Sequence, residues 1–107
     1  MSGEGKKMSV QLSYAPEEIE ELCRRWKVKE LALFGSVLRE DFRPDSDVDV
    51  LVTFADRAGW SLFDLVRMAD ELAKLFGREV DLVEKKGLRN PFRRAAILGS
   101  KEVIYAS

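Results

Sequence analysis

The 107-residue sequence contains no histidine and only one cysteine, Cys23. Without histidine there is no Ser-His-Asp triad, no imidazole general base and no histidine-ligated zinc. A single cysteine excludes an internal disulfide and a cysteine-rich zinc site. A metal site in this chain would therefore be built mostly from carboxylates, and such oxygen ligands favour magnesium, manganese or calcium.

Long apolar segments and a large net charge are missing as well. The formal net charge is −1, so no overall field attracts the chain to nucleic acid or to an anionic membrane. No apolar run approaches the ~18 residues that a membrane span needs, and the first residues, MSGEGKKMS, have no apolar signal core. We therefore expect a cytoplasmic protein without a membrane segment or an indicated nucleic-acid partner.

The remaining composition suits one small domain. Apolar residues make up 46% of the chain, which is enough for a core. We predict a flexible leader over residues 1–13 and a single folded domain over residues 14–107. Apolar periodicity, capping residues and turn residues predict the following elements: helices at 16–27, 36–40, 61–76 and 90–98, and strands at 30–34, 48–54, 79–83 and 102–105.

The order of these elements predicts an α/β (α+β) fold with a small mixed sheet of about four strands and helices packed on it. Strands 48–54 and 79–83 are separated by a helix of about 15 residues, which favours a parallel pair with a right-handed crossover. The helix between them has clear ends. Ser61 and Asp64 resemble a capping box, and Gly77 stands where a helix ends.

Three aspartates lie at the starts of the two parallel strands. Asp47 and Asp49 are two residues apart, so they project to the same side, about 7 Å apart along a strand. Asp81 is near the start of the next strand and is expected at the same end of the sheet. Three converging carboxylates repel one another, and divalent cations remove that repulsion. Two cations about 4 Å apart form the clamp used for in-line nucleotidyl displacement.

A Gly-Ser pair precedes this acidic cluster. Gly35 and Ser36 end one strand and begin a helical turn, so that backbone N–H groups and the Ser36 hydroxyl face phosphate oxygens. Glycine also lets the backbone approach a ligand closely. Arg39, three residues after Ser36, lies on the same helical face and adds positive charge.

Two other interpretations of the acidic residues fit less well. In a calcium loop beginning at Asp45, the sixth position would be glycine and the twelfth glutamate, but they are Val50 and Asp56. A solvated turn before a strand explains Asp47 but not Asp49 or Asp81, which lie inside apolar runs.

A basic run follows the Asp81 strand and allows three interpretations. It is a solvated surface, a phosphate-contacting border of the site, or a surface for an acidic partner. Its members are Lys85, Lys86, Arg89, Arg93 and Arg94.

The spacing of these residues resembles a known superfamily. Gly35-Ser36, ten residues and then Asp47-x-Asp49 is similar to the pattern of the DNA polymerase beta-like nucleotidyltransferases, and Asp81 matches their third carboxylate. The chain resembles their minimal nucleotidyltransferase branch, found in bacterial and archaeal toxin–antitoxin pairs, over about residues 17–106.

The resemblance implies roles for these residues. Gly35 and Ser36 would hold the nucleotide triphosphate. Asp47 and Asp49 would bind two Mg²⁺ ions, or Mn²⁺ in their place, while Asp81 completes the metal site and helps to activate the acceptor hydroxyl.

The resemblance also implies a partner. Members of this branch are similar to antitoxins that pair with a HEPN-domain toxin and transfer AMP from ATP to a toxin tyrosine, which implies a homo- or hetero-oligomer. One departure is Glu40, which follows Arg39 where larger relatives often have glycine. Two alternatives stay open: a non-catalytic antitoxin that covers the toxin, and a transferase acting on a small molecule or an RNA end.

Overall fold

The computed structural model describes residues 7–10, 12–35, 47–55 and 58–107. The described α-helices and β-strands are, in chain order, β1 (Lys7–Val10), β2 (Leu12–Tyr14), α1 (Pro16–Arg25), β3 (Val28–Phe34), β4 (Val48–Phe54), α2 (Leu62–Phe76), β5 (Val80–Glu84), α3 (Pro91–Ser100) and β6 (Glu102–Ala106), and a 3-10 helix (Lys85–Gly87) follows β5. No helix among the described residues is both long enough and apolar enough to cross a membrane.

The main sheet has four strands in the order β5-β4-β3-β6. β4 and β5 run parallel, and α2 connects them. β3 is antiparallel to both β4 and β6. The predicted mixed four-strand sheet and its parallel crossover are confirmed.

Each face of the sheet is covered by different helices, which gives two apolar cores. On one face, α1 and α2 pack against alternate residues of β4, such as Val50 and Val52. On the other face, a smaller core joins α3 to the residues of β3 and β4 whose side chains point away from α1 and α2. It contains Ala32, Phe34, Leu51, Leu88 and Ile97. Since side chains alternate along a strand, Asp49 lies on the α3 face with Leu51.

Helix α2 ends as its sequence predicts. The Asp64 N–H donates to Ser61 Oγ (3.3 Å), and the Ser61 N–H donates to Asp64 Oδ2 (2.9 Å), so the capping box is complete. The hydrogen bond from the Ser61 backbone is the main reason that the pKa of Asp64 lies below its usual range. At the other end, Gly77 adopts the left-handed conformation (φ 71°) that lets the chain leave the helix.

A pair of tryptophans joins α1 to α2. The indole N–H of Trp60 donates to the backbone carbonyl of Trp26 (2.7 Å), and the two rings are 4.8 Å apart. The indole N–H of Trp26 donates to Glu71 Oε1 (3.2 Å), which also accepts from Arg25 (3.1 Å). Burial raises the pKa of Glu71, but these hydrogen bonds outweigh burial, and the pKa lies below its usual range. Both tryptophans therefore serve packing between helices.

The N-terminal part of the chain differs from expectation. Within the predicted leader 1–13, strand β1 pairs with the antiparallel β2 in a small separate sheet. The flexibility of the whole leader stays a prediction. Strand β3 begins at Val28, two residues earlier than predicted, directly after Lys27 turns the chain with φ 57°. The predicted helical turn at 36–40 lies outside the described residues.

Candidate functional site

Two of the three predicted aspartates are neighbours across the parallel pair of strands. Asp49 of β4 and Asp81 of β5 are register partners. Partners in a parallel pair project to the same face of the sheet, which here is the α3 face. Asp49 is half-buried, whereas Asp81 is exposed. The sheet thus presents two adjacent carboxylates at the end where β4 and β5 begin.

Gly35 forms the third side of this arrangement. Its neighbour Phe34, the last residue of β3, is the register partner of Asp49, so β3 ends where β4 begins. Gly35 has a φ of 76°, and its Cα faces the Asp49 carboxyl so closely that an added Cβ would lie 3.0 Å from Asp49 Cγ and closer still to Oδ2. Both the backbone conformation and the missing side chain are required here. In the structure the backbone of Gly35 lies close to the Asp49 carboxylate, and its predicted close approach to a nucleotide phosphate stays a prediction.

Asp47 precedes β4 at the same end of the sheet. The next residue, Val48, donates its N–H to the carbonyl of Glu79 (2.9 Å), which fixes the start of β4 beside the start of β5. Asp47 itself is exposed. Among the described residues, no group of three or more acidic or cysteine side chains is arranged to hold a metal ion. The structure shows the pairing of Asp49 with Asp81. The complete metal site with three carboxylates stays a prediction.

The other predicted nucleotide-binding residues cannot be placed. Ser36 and Arg39 lie outside the described residues, and so does Glu40. The phosphate-binding roles assigned to Ser36 and Arg39 stay predictions.

The basic run after β5 does not border this site along its described part. Lys85, Lys86 and Arg94 line a groove of about 230 Å³ with Thr53 and Phe54. These two residues end β4, four or five residues beyond Asp49, which is at least about 13 Å along a strand. These three cations therefore lie towards the end of β4 that is away from Asp49, and a phosphate-contacting role for the run stays a prediction. Residues that follow β5, such as Lys85, lie at the end of the sheet opposite to Asp81, because Asp81 is near the start of that strand.

One acidic residue at this end was missed in the sequence. Glu102 begins β6 and is the register partner of Leu33, next to Phe34. Leu33 belongs to the core under α1 and α2, so Glu102 lies on the opposite face from Asp49. No local pattern could have placed it here, because its position depends on β6 pairing with the distant β3.

A family model described as a nucleotidyltransferase domain matches residues 17–104. The chain belongs to this family. The family match and the relatives named below show that the chain is a nucleotidyltransferase.

Curated relatives match over most of their length. MJ1379 of Methanocaldococcus jannaschii, provisionally named a protein adenylyltransferase, is 33% identical over 96 residues, covering 82% of this chain and 94% of the relative. The protein adenylyltransferase MntA of Thermococcus cleftensis is 36% identical over 85 residues, covering 79% of this chain and 81% of MntA.

Solved structures share the fold. One is provisionally described as a minimal nucleotidyltransferase and has a TM-score of 0.66 at 37% identity. The match covers 80% of this chain and 85% of the chain in that structure. A toxin–antitoxin complex with AMP-PNP has a TM-score of 0.69 at 22% identity, with coverages of 86% and 73%. A tri-AMPylated HEPN toxin from Shewanella oneidensis in complex with MNT antitoxin has a TM-score of 0.61 at 21% identity, with coverages of 86% and 70%. The last two likenesses show the fold alone.

Proposed function

We propose that this protein is the antitoxin of a HEPN-domain toxin and transfers AMP from ATP to a tyrosine hydroxyl of that toxin in a magnesium-dependent reaction. The cytoplasmic location expected from the sequence is part of this proposal.

The pairing of Asp49 with Asp81 against Gly35 carries the proposal. A carboxylate inside an apolar strand weakens that strand, and two adjacent carboxylates repel each other. The register of β4 with β5 nevertheless sets these two residues side by side, with a positive-φ glycine packed against one of them. Their arrangement is explained if the carboxylates act on a ligand at this end of the sheet.

The donor chemistry of the site fits a hard divalent cation. The carboxylates of Asp49 and Asp81 are adjacent and Asp47 lies at the same end of the sheet, so all the donors are oxygens of the kind that Mg²⁺ prefers. Asp47 and Asp49 would hold the metal, and Asp81 would complete its site. When bound, Mg²⁺ supplies charge stabilisation for the triphosphate and its leaving group.

The reaction follows from these roles. The tyrosine oxygen attacks the α-phosphorus of ATP, the bond from that phosphorus to the oxygen bridging to the β-phosphate breaks, and pyrophosphate leaves. The Asp81 carboxylate takes the hydroxyl proton of the acceptor. Gly35 and Ser36 hold the triphosphate, and Arg39 adds positive charge beside it. The packing of Gly35 against Asp49 fixes the direction of that carboxylate, and such positioning is worth orders of magnitude in rate.

The relatives support the partner and the nucleotide. MntA is named a protein adenylyltransferase, and proteins of this fold occur in complexes with AMP-PNP and with an AMPylated HEPN toxin.

The test is transfer of label from α-labelled ATP to the product of the adjacent gene, as the candidate toxin. We expect Mg²⁺-dependent labelling of the toxin by the wild type, and a loss of at least ~100-fold in Asp47→Asn with Asp49→Asn, because the charges that hold the metal are removed. Glu18→Gln, which neutralises an exposed carboxylate on α1, is the matched control and should keep full activity.

The same variants separate catalysis from simple binding. If the double variant folds, binds the toxin and fails to neutralise it, the transferred nucleotide is the mechanism. If it neutralises as well as the wild type, the protein is a binding antitoxin that covers the toxin. If label reaches a small molecule or an RNA end and never the toxin, the acceptor has been misassigned.

A further inference from the structure

Helix α2 carries two apolar surfaces, and the domain buries only one of them. Met68 and Leu72 face the sheet and are fully buried. On the adjacent surface, Leu62, Phe63 and Val66 are 76%, 82% and 63% exposed. Large apolar side chains that lie together on a surface mark an interaction site.

The same surface becomes a groove towards the C-terminal end of α2. Ala69 and Ala73 continue the stripe begun by Leu62 and Val66, with the spacing i, i+4, i+7, i+11 of one helical face. Here the side chains are small, and a groove of about 340 Å³ runs between the helix and Val80 of the edge strand β5. One helix therefore presents a bulky half and a hollow half on a single surface.

We propose that a second copy of this chain covers this surface, with the two α2 helices packed antiparallel. In that arrangement the bulky half of each helix fills the hollow half of the other, as knobs pack into holes. A two-fold contact requires a patch that is complementary to itself. Helix α2 has 15 residues, or about 22 Å, so one helix is long enough to provide both halves.

The charges beside the groove are also self-complementary. Arg67, Asp70 and Glu79 line it, and of these Arg67 and Asp70 lie on α2 itself. Antiparallel packing brings Arg67 of one protomer within a helical turn of the partner's Asp70, and the two-fold axis repeats the pair. Within its own helix each is held loosely: Arg67 lies 3.8 Å from Asp64, and Asp70 lies 3.9 Å from Lys74. Such exposed pairs are weak, so either residue can exchange its partner at little cost.

The contact leaves the candidate active site open. Asp49 and Asp81 lie on the α3 face of the sheet, whereas α2 packs on the other face. Self-association through α2 is therefore compatible with nucleotide transfer and does not depend on it.

The first test is the mass of the purified chain, without toxin, by sedimentation at concentrations up to about 100 µM, the range of a weak dimer. We expect a dimer for the wild type and at least ~10-fold weaker association for Val66→Glu, because a charge would enter an apolar contact. Phe92→Glu is the matched control: Phe92 is 85% exposed, on α3, and this variant should stay dimeric. Circular dichroism and urea midpoints check that both variants fold.

The second test is a charge swap. Arg67→Asp and Asp70→Arg should each weaken the dimer by about 10-fold, and the double variant should recover most of the loss, because the cross-protomer pair re-forms with reversed signs. A wild type that stays monomeric overturns the proposal, and so does a dimer that Val66→Glu leaves intact. A monomeric wild type whose Val66→Glu variant fails to bind the toxin assigns the surface to the toxin instead. If monomeric Val66→Glu still labels the toxin, dimer formation is not needed for nucleotide transfer, and the two proposals can be judged separately.

Discussion

Replacing Gly35 with alanine tests whether the backbone beside Asp49 is built to hold that carboxylate. Gly35 has a φ of 76°, where a non-glycine residue pays about 1–2 kcal/mol. The added methyl group would also meet the carboxyl group of Asp49, 3.0 Å from its Cγ, and overpacking of this kind costs about 1–3 kcal/mol. The free energy of unfolding should therefore fall by about 2–5 kcal/mol.

Gly77→Ala is the matched control for the backbone part of this loss. Gly77 has almost the same φ, 71°, but a Cβ there would meet nothing within 4 Å. This variant should lose only the ~1 kcal/mol of a left-handed alanine. Urea unfolding followed by the fluorescence of Trp26 and Trp60 measures both variants. The difference between the two losses is the cost of displacing Asp49.

A double variant identifies the contact. In Gly35→Ala with Asp49→Ala the carboxylate is gone, so most of the steric part should be recovered, and the two substitutions should couple by about 1–3 kcal/mol. The reasoning is refuted if Gly35→Ala costs no more than Gly77→Ala, or if its cost is unchanged when Asp49 is alanine. Nucleotide transfer by Gly35→Ala should also fall by ~100-fold, because a carboxylate displaced by about 1 Å is misaligned.

Three further predictions concern the core and its titrating groups. Leu72→Ala should lower the free energy of unfolding by about 2–5 kcal/mol in the same urea assay, because Leu72 is fully buried; a loss below about 1 kcal/mol would contradict this packing. Burial raises the pKa of the Cys23 thiol to about 12, so a thiol reagent at pH 8 should label it only after unfolding, and rapid labelling of the native protein would count against its burial. Hydrogen bonds from Trp26 and Arg25 lower the pKa of Glu71, so its contribution to stability is complete above its unfolded pKa of about 4.3 and is lost as pH falls through the lower folded pKa. Between pH 7 and pH 3 the wild type should therefore lose more stability than Glu71→Gln, and parallel pH profiles would show that the carboxylate contributes nothing.

The parts of the fold that local sequence determines were predictable. Ser61, Asp64 and Gly77 mark the ends of α2 by hydrogen bonding and backbone conformation alone. The length of α2 in turn favours the parallel pairing of β4 with β5, and this pairing places Asp49 beside Asp81. The central feature of the candidate site was therefore accessible from spacing and strand geometry.

What sequence could not provide depends on contacts between distant segments. The position of β6 beside β3, and with it that of Glu102, is set by tertiary pairing. The two strands at the N-terminus are short, so their apolar pattern is too brief to be distinguished from a loop. The basic run is close to Asp81 in sequence, but β5 extends from Val80 to Glu84 and so carries Lys85 to the opposite end of the sheet.

The pairing of β3 with β6 affects how this protein can fold during its synthesis on the ribosome. Leu31 is translated early, but its register partner in the sheet, Tyr105, is translated only near the end of the described chain. Until then one side of β3 is an open edge, which invites pairing with other chains, and closing so long a loop slows folding. A chain that stops before β6 would therefore carry Asp49 and Asp81 on a sheet whose β3 edge is still unpaired.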